Sequence, residues 1–520
     1  MEIQLTRRRF GKLAGGALAS QAVARHGFAL QETSTSPAKN ASSDDLASLT
    51  LAEAAAKLRT RQVSSVELTE AALARIAVYD PKLDAFITVT KDRAMAAAKQ
   101  ADAEIAAGKY RGPLHGIPLA AKDNIDTAGV RTTGASQLFE DRVPTEDAPV
   151  IARLRSAGAV IVGKTNLQEF AMGGGETSYW GPARNPWNLL HNTGGSSAGS
   201  GAAIAADLCY GALGTDTAGS VRMPASYCGV VGLKPTYGLV PIRGIIPLTV
   251  SLDHCGPLTR TVEDTAIMLN VLAGYDKLDI TSVNHAKEDY VAGMKQPIKS
   301  FRIGIPVGHF DTLQPDVEKA VMTAIALLGT MTSGTREVSL PPPGSASALG
   351  QLGETYAWHQ KYFETQSGKY MVQERKRLTT AQTNHPWSVD YIHALWDLEL
   401  LRRTVDDSFT DADVVVLPTM RIVAPTIEEL WKRDAETKLT DPYVASDCGY
   451  FNAYGLPAIT VPCGFSQTGL PIGLMIAGPH FSESKVLALA NAYQQATAWH
   501  KQKPPLTPET PVPPIPSVGA

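Results

Sequence analysis

The chain has 520 residues, with 48 lysines and arginines against 51 aspartates and glutamates, a formal net charge of −3. No basic stripe accompanies that near-balance, so nothing in the composition attracts a phosphate backbone, and no nucleic-acid partner is expected. Charged residues make up 19% of the chain, below the roughly 25% of ordinary domains, as expected of one large core with a small surface share.

In chain order, the first feature is Thr6-Arg7-Arg8-Arg9-Phe10-Gly11-Lys12, followed by the moderately apolar Leu13–Ala24, which ends Ala22-Val23-Ala24. This is the pattern of a twin-arginine export signal with an Ala-x-Ala cleavage site. Its apolar core of about a dozen residues falls short of the ~20 that span a bilayer, so residues 1–24 are predicted to be an address and not a membrane anchor. The mature chain is then periplasmic or secreted, its first partner the twin-arginine export machinery. Residues 25–45, rich in Ser, Thr and Ala, are predicted to be a flexible linker. The folded domain is predicted over 46–502, and the proline-rich 503–520 as an extended tail.

Thr50-Leu51-Ala52-Glu53 and Ser64-Ser65-Val66-Glu67 read as capping boxes opening two amphipathic helices. Ala85–Val89 then reads as a strand. The apolar run Ile117–Ala121 carries Lys122 inward, which matters because burial disfavours an ammonium and makes a lysine available as a base. A helix is predicted over Ala148–Ser156. Gly158-Ala159-Val160-Ile161-Val162-Gly163-Lys164-Thr165 has the spacing of a phosphate-binding loop, but its interior is apolar and largely β-branched, so a buried strand at Val160–Val162 is predicted in its place.

From Gly194 to Ser226 the chain reads GGSSAGSGAAIAADLCYGALGTDTAGSVRMPAS, two serine-bearing glycine loops around an apolar helical run. Glycine lets the backbone approach a ligand and turn N–H groups toward one point, as an oxyanion hole requires. Gly214-Thr215-Asp216-Thr217-Ala218-Gly219-Ser220 offers such donors beside a hydroxyl. Further on, a helix is predicted over Val262–Leu272 and strands over Ile303–Ile305, Val414–Leu417 and Ile459–Val461. Strand–helix alternation without internal repeats argues a layered α/β sheet.

Cys209, Cys228, Cys255, Cys448 and Cys463 include no CxxC pair and read as buried reduced thiols. His115 and His254 read as structural, and His385 and His393 as surface residues. No histidine–carboxylate cluster suggests a metal site, and no cofactor is expected.

Taken together, the two glycine-serine loops resemble those of the amidase signature family of serine hydrolases. So do Gly112-Pro113-Leu114-His115-Gly116-Ile117-Pro118-Leu119-Ala120-Ala121-Lys122-Asp123-Asn124, Glu169-Phe170-Ala171-Met172-Gly173, Gly232-Leu233-Lys234-Pro235-Thr236, Asp253-His254-Cys255-Gly256-Pro257 and Gly455-Leu456-Pro457-Ala458-Ile459. The likeness runs in order from Leu46 to Trp499. It implies a single α/β domain, a large mixed sheet sandwiched between helices. It also implies Ser220 as the nucleophile that forms an acyl-enzyme, Ser196 as a bridging serine after a cis peptide, and Lys122 as the terminal base. Thr217, Ala218, Gly219 and Ser220 match the oxyanion-hole amides, and Met172, Gly173 and Ser196 the substrate-binding positions.

The implied activity is hydrolysis of a small-molecule carboxylic acid amide, the range extending to aryl and peptide amides, carbamates and esters. Ala198 and Ala218 stand where the family more often has glycine, and an alanine at 218 is strained if that position needs positive φ. The segment from about Tyr275 to Arg433, poorest in family motifs, is assigned to substrate recognition. Two alternatives share the motifs. One is the A-type subunit of a tRNA-dependent amidotransferase, against which the export signal argues. The other is a periplasmic binding protein without chemistry, against which the intact Lys122, Ser196 and Ser220 argue.

Overall fold

The computed structural model describes residues 43–173, 178–344, 346–384, 387–435 and 446–515. The expected export segment, the linker as far as residue 42, and His385 lie outside these residues. Regular structure starts slightly ahead of the expected boundary at residue 46, with a helix over Ser43–Ala47 tied by Asp44 to Arg75 at 2.8 Å. Both capping boxes form: Thr50 and Glu53, and Ser64 and Glu67, exchange hydrogen bonds and open the helices Leu51–Arg59 and Ser65–Leu83.

The strands are β1 (Phe86–Val89), β2 (Pro118–Lys122), β3 (Val160–Thr165), β4 (Arg184–Asn185), β5 (Asn188–Asn192), β6 (Gly211–Asp216), β7 (Val231–Lys234), β8 (His254–Thr259), β9 (Ile303–Pro306), β10 (Thr335–Val338), β11 (Val414–Pro418), β12 (Ala458–Phe465) and β13 (Pro471–Ala477). Eleven of them form one sheet in the order β1-β3-β2-β6-β8-β7-β12-β13-β11-β9-β10, and β4 with β5 makes a separate hairpin. β2 runs parallel to β3 and to β6, whereas β6–β8, β7–β8 and β12–β13 are antiparallel, so the sheet is mixed as expected.

Alternate residues of the central strands enter different cores, as the two-residue period of a strand requires. Ala120, Val160, Val162 and Ala212 pack with Ile76 and Ala202–Ala206 on one face, while Leu119, Ala121, Ile161 and Leu213 pack with Leu51, Ile151 and Leu269 on the other. Helices therefore cover both faces, and a strand buried on both sides must read as a nearly unbroken apolar run. The loop-like Gly158–Thr165 motif supplies such a strand from Val160 onward, after a turn at Gly158. Its Lys164 is buried and donates to Ile125 O at 2.6 Å and Thr132 Oγ1 at 2.7 Å, leaving it no role toward a phosphate.

The segment 275–433 is only partly peripheral. It supplies β9, β10 and β11 to one edge of the sheet, and leaves it between β10 and β11 to form the helices Ala346–Gln366, Val372–Thr383 and Ser388–Thr404. The C-terminal stretch expected as an extended tail has no helix or strand over 502–515, yet it lies on the domain: Lys503 pairs with Asp207 at 2.7 Å, Leu506 packs on the core, and Lys82 holds Thr510 O at 2.8 Å. All five cysteines are buried and free, as expected. Among the described residues, no helix is long and apolar enough to cross a membrane.

Candidate active site

Because β2 and β6 are parallel neighbours, Lys122 and Asp216 end adjacent strands at the same edge of the sheet, the edge where open α/β sheets place ligands. Lys122 is fully buried. Its Nζ lies 2.8 Å from Ser196 Oγ, 2.7 Å from Thr215 Oγ1 and 3.4 Å from Thr215 O. Burial pushes its pKa down to about 7, against the opposing pull of the Asp216 and Asp253 charges. Asn124 Nδ2 supports the same threonine hydroxyl at 3.2 Å. A lysine that is neutral near pH 7 and hydrogen-bonded to a serine can take that serine's proton.

Ser196 is buried and follows a cis peptide from Gly195. A methyl at 195 would displace the Gln168 side-chain amide, which packs closely on this glycine. The next residue joins the two serine loops: Ser197 N–H donates to Ser220 O at 3.1 Å, and Ser197 Oγ meets Thr215 O at 3.2 Å. Ser220 keeps 7% exposure. Lys122 and Ser196 are thus in direct contact, while Ser220 is brought alongside through its backbone. Among the described residues its hydroxyl makes no hydrogen bond to Ser196.

The loop that carries Ser220 is built around Asp216. Its carboxylate accepts Gly219 N–H at 2.7 Å and Val221 N–H at 3.1 Å, and it is gripped by Arg222 at 3.0 and 2.9 Å. Burial opposes its charge, but the Arg222 guanidinium overcomes that cost and holds the carboxyl well below the usual carboxylate range. Arg222 also reaches Asn452 Oδ1 at 2.6 Å. Of the four N–H groups expected to face an oxyanion, that of Gly219 is bonded to Asp216, whereas those of Thr217, Ala218 and Ser220 make no hydrogen bond among the described residues. The strain expected if Ala218 needed positive φ does not arise, since the positive φ of the loop lies on Gly219 at 118° and not on Ala218. Removing one member of a buried ion pair costs about 3–5 kcal/mol. Asp216→Ala is therefore expected to destabilise the fold by that amount in denaturant titration, with Arg222 left buried and unpaired.

Met172 is buried beside Phe170, Leu138, Ile246, Phe363 and Tyr370, and its carbonyl accepts from Arg377. Gly173 has φ 58°. This apolar wall is closed by the helix Ala346–Gln366, whose Trp358 and Tyr362 pack edge-on to Phe139. Of the histidines expected to be structural or on the surface, His254 lies next to the Ser220 loop, its Nδ1 3.2 Å from Asp216 O. His115 accepts Arg111 N–H at 3.1 Å and lies 3.2 Å from Glu104. His254 is buried between Leu252 O at 2.7 Å and Lys234 at 3.1 Å, and His393 is exposed beside Trp396. No cluster able to hold a metal occurs among the described residues. Sequence reading missed Thr215, Asn124 and Asp253, polar residues inside or beside the recognised motifs whose partners come from other strands and loops.

Fold and site together define an α/β protein with a buried lysine–serine pair beside a second serine in a glycine-bearing loop. The Amidase family model matches residues 67–487, and the chain belongs to this family. It is 40% identical to the A-type subunit of the glutamyl-tRNA(Gln) amidotransferase of Geobacter sp. (strain M21), over 88% of this chain and 99% of that one. It is 42% identical to the corresponding subunit of Roseiflexus sp. (strain RS-1), over 88% and 98%. Among solved structures it resembles the peptide amidase of Stenotrophomonas maltophilia, with 32% identity and a TM-score of 0.77 over 89% of this chain and 99% of that one.

Proposed function

We propose that the chain opens a carboxylic acid amide through an acyl-enzyme on Ser220, and that water then takes the acyl group. Acyl, aryl and peptide amides, carbamates and esters are the candidate substrates. The observation that carries this reading is the buried Lys122, held near neutrality and 2.8 Å from Ser196 Oγ, in a site where Ser197 ties the Ser196 loop to Ser220.

In the proposed sequence, Lys122 takes the Ser196 proton as Ser196 takes that of Ser220, whose oxygen adds to the amide carbon. The free N–H groups of Thr217, Ala218 and Ser220 meet the oxyanion. The proton returns along the same path to the departing amine, and water repeats the steps to release the acid. Catalytic hydrogen bonds such as that between the two serine hydroxyls tighten when substrate arrives. Met172 and Gly173 border the acyl side.

A second reading is supported by the relatives: the A-type component of an amidotransferase that works with partner subunits on glutamyl-tRNA(Gln), an inference from 40% identity across 99% of such a chain. The twin-arginine pattern at Arg7 and Arg8 supports the first reading, because charged tRNA and partner subunits are cytoplasmic. The deciding experiment measures ammonia or amine release by the purified protein alone, without ATP, from glutamine and a panel of other amides. Turnover of other amides sustains the hydrolase. Activity confined to glutamine, or to a reconstituted complex, sustains the amidotransferase component, and silence in both settings leaves the binding-protein reading.

Export is tested separately. With Arg7→Lys and Arg8→Lys together, the precursor is expected to stay in the cytoplasm, since such signals are read by a receptor. Unimpeded periplasmic accumulation of that variant would refute the route.

A further inference from the structure

The nucleophile loop is held by a second carboxylate besides Asp216. Asp253 is 6% exposed and immediately precedes β8. Its Oδ1 accepts the Thr217 hydroxyl at 2.5 Å, and its Oδ2 accepts the N–H groups of Leu248 at 2.9 Å and Thr249 at 3.2 Å. The turn these residues form touches two other parts of the molecule. Toward the site, Ile246 N–H donates to Asn124 O at 2.8 Å, two residues beyond Lys122. Toward the helices, Thr355 donates to Leu248 O at 2.8 Å, Glu354 accepts Ser251 N–H at 2.9 Å, and Arg402 donates to Ser251 O at 2.5 Å.

We propose that Asp253 is a positioning residue for the reaction: it fixes Thr217, the first free N–H of the oxyanion set, and makes that placement depend on the helical layer of residues 346–404. Thr217 is where the chain leaves β6; on that side of the loop Asp253 anchors its hydroxyl, and Asn452 Nδ2 holds the preceding Asp216 carbonyl at 2.8 Å. The bonds from Asp216 to Gly219 and Val221 hold the loop only further downstream. Donors 2.7–3.1 Å from the developing oxyanion are effective because they need not reorganise, so a loosened Thr217 loses rate without losing binding.

Asp253 also bears on the base. Its surroundings are the Thr217 hydroxyl, the two turn N–H groups, the Glu354 carboxylate, the Tyr237 phenol and Lys122. Burial pushes its carboxyl up to about 6, with Glu354 adding to the rise and the three hydrogen bonds opposing it. Once ionised it favours the charged form of Lys122. Removing this negative charge lets Lys122 become neutral at lower pH.

The inference rests on the Ser220 reading, so its probe is a serine-directed organophosphorus reagent, which requires no knowledge of the natural substrate. Labelling rates are measured against pH for the full chain and for Asp253→Asn, Thr217→Val and the double variant, with thermal unfolding as the control for folding. Each single variant is expected to label about ten- to a hundredfold more slowly, as small misplacements of catalytic groups do. The double variant is expected to be no slower than the slower single, and the acid limb of Asp253→Asn to move to lower pH. Additive losses, a single variant at the wild-type rate, or an unmoved limb overturns the inference. Should Asp253→Asn not fold, Thr355→Val replaces it, and its rate loss is expected to vanish in the Thr217→Val background; a loss that persists there overturns the link. A wild type that never labels brings down the Ser220 reading and the inference together, whereas a labelled wild type with unchanged variants brings down the inference alone.

Discussion

Ser220→Ala is expected to abolish both turnover and covalent labelling while leaving the fold intact. The hydroxyl makes no hydrogen bond to another described side chain, and the residue keeps 7% exposure, so its removal orphans no buried partner and opens no cavity of consequence. The loop stays in place because its anchors are backbone and Asp216 contacts: Ser197 N–H to Ser220 O and Gly219 N–H to the carboxylate. Mass spectrometry of the wild type should find one organophosphorus adduct, on the peptide containing Ser220. An adduct on Ser196 would reverse the roles of the two serines. Amide turnover surviving in Ser220→Ala, with no acyl-enzyme detected in the wild type, would end the covalent mechanism.

Lys122→Ala is expected to lower amide turnover by about 10²–10⁴, the contribution of positioned acid–base catalysis. Ester hydrolysis should lose less, because an alkoxide leaves with less need of a proton than an amine. The lysine acts as a base only when neutral, and burial brings its pKa to about 7, so wild-type kcat/KM should climb with pH through that value and then level off. A profile of unchanged shape in Lys122→Ala would show that another group titrates. Stability carries the same signature. The folded-state pKa lies below the ordinary lysine value of 10.5, so between about 7 and 10.5 the unfolded chain binds more protons and stability should rise with pH. That slope should flatten in the variant, as read from denaturant midpoints across the range.

How much of the site was legible depends on the span of each contact. The fold class and the burial of Lys122 follow from local pattern, because an apolar run such as Ile117–Ala121 allows few placements except inside a covered sheet. The same rule separates the strand Val160–Thr165 from the phosphate loop its spacing imitates. Capping boxes at Thr50 and Ser64 were readable for the same reason, since each is complete within four residues.

The chemistry around the motifs was decided by the tertiary structure. Thr215 reaches Lys122 across 93 residues, Asp253 reaches Thr217 across 36, and Asn452 reaches Arg222 across 230. No periodicity encodes such pairings, because they arise only when parallel β2 and β6 bring their ends together and the 246–253 turn folds over them. The Gly219 N–H shows the difference at a single atom. The sequence by itself determined that a flexible glycine stands beside a serine in a loop rich in donors, a property of residue types. That this N–H meets a carboxylate was set by the three-dimensional position of Asp216, held by the buried Arg222, since hydrogen bonds to an ionised acceptor are the strong ones.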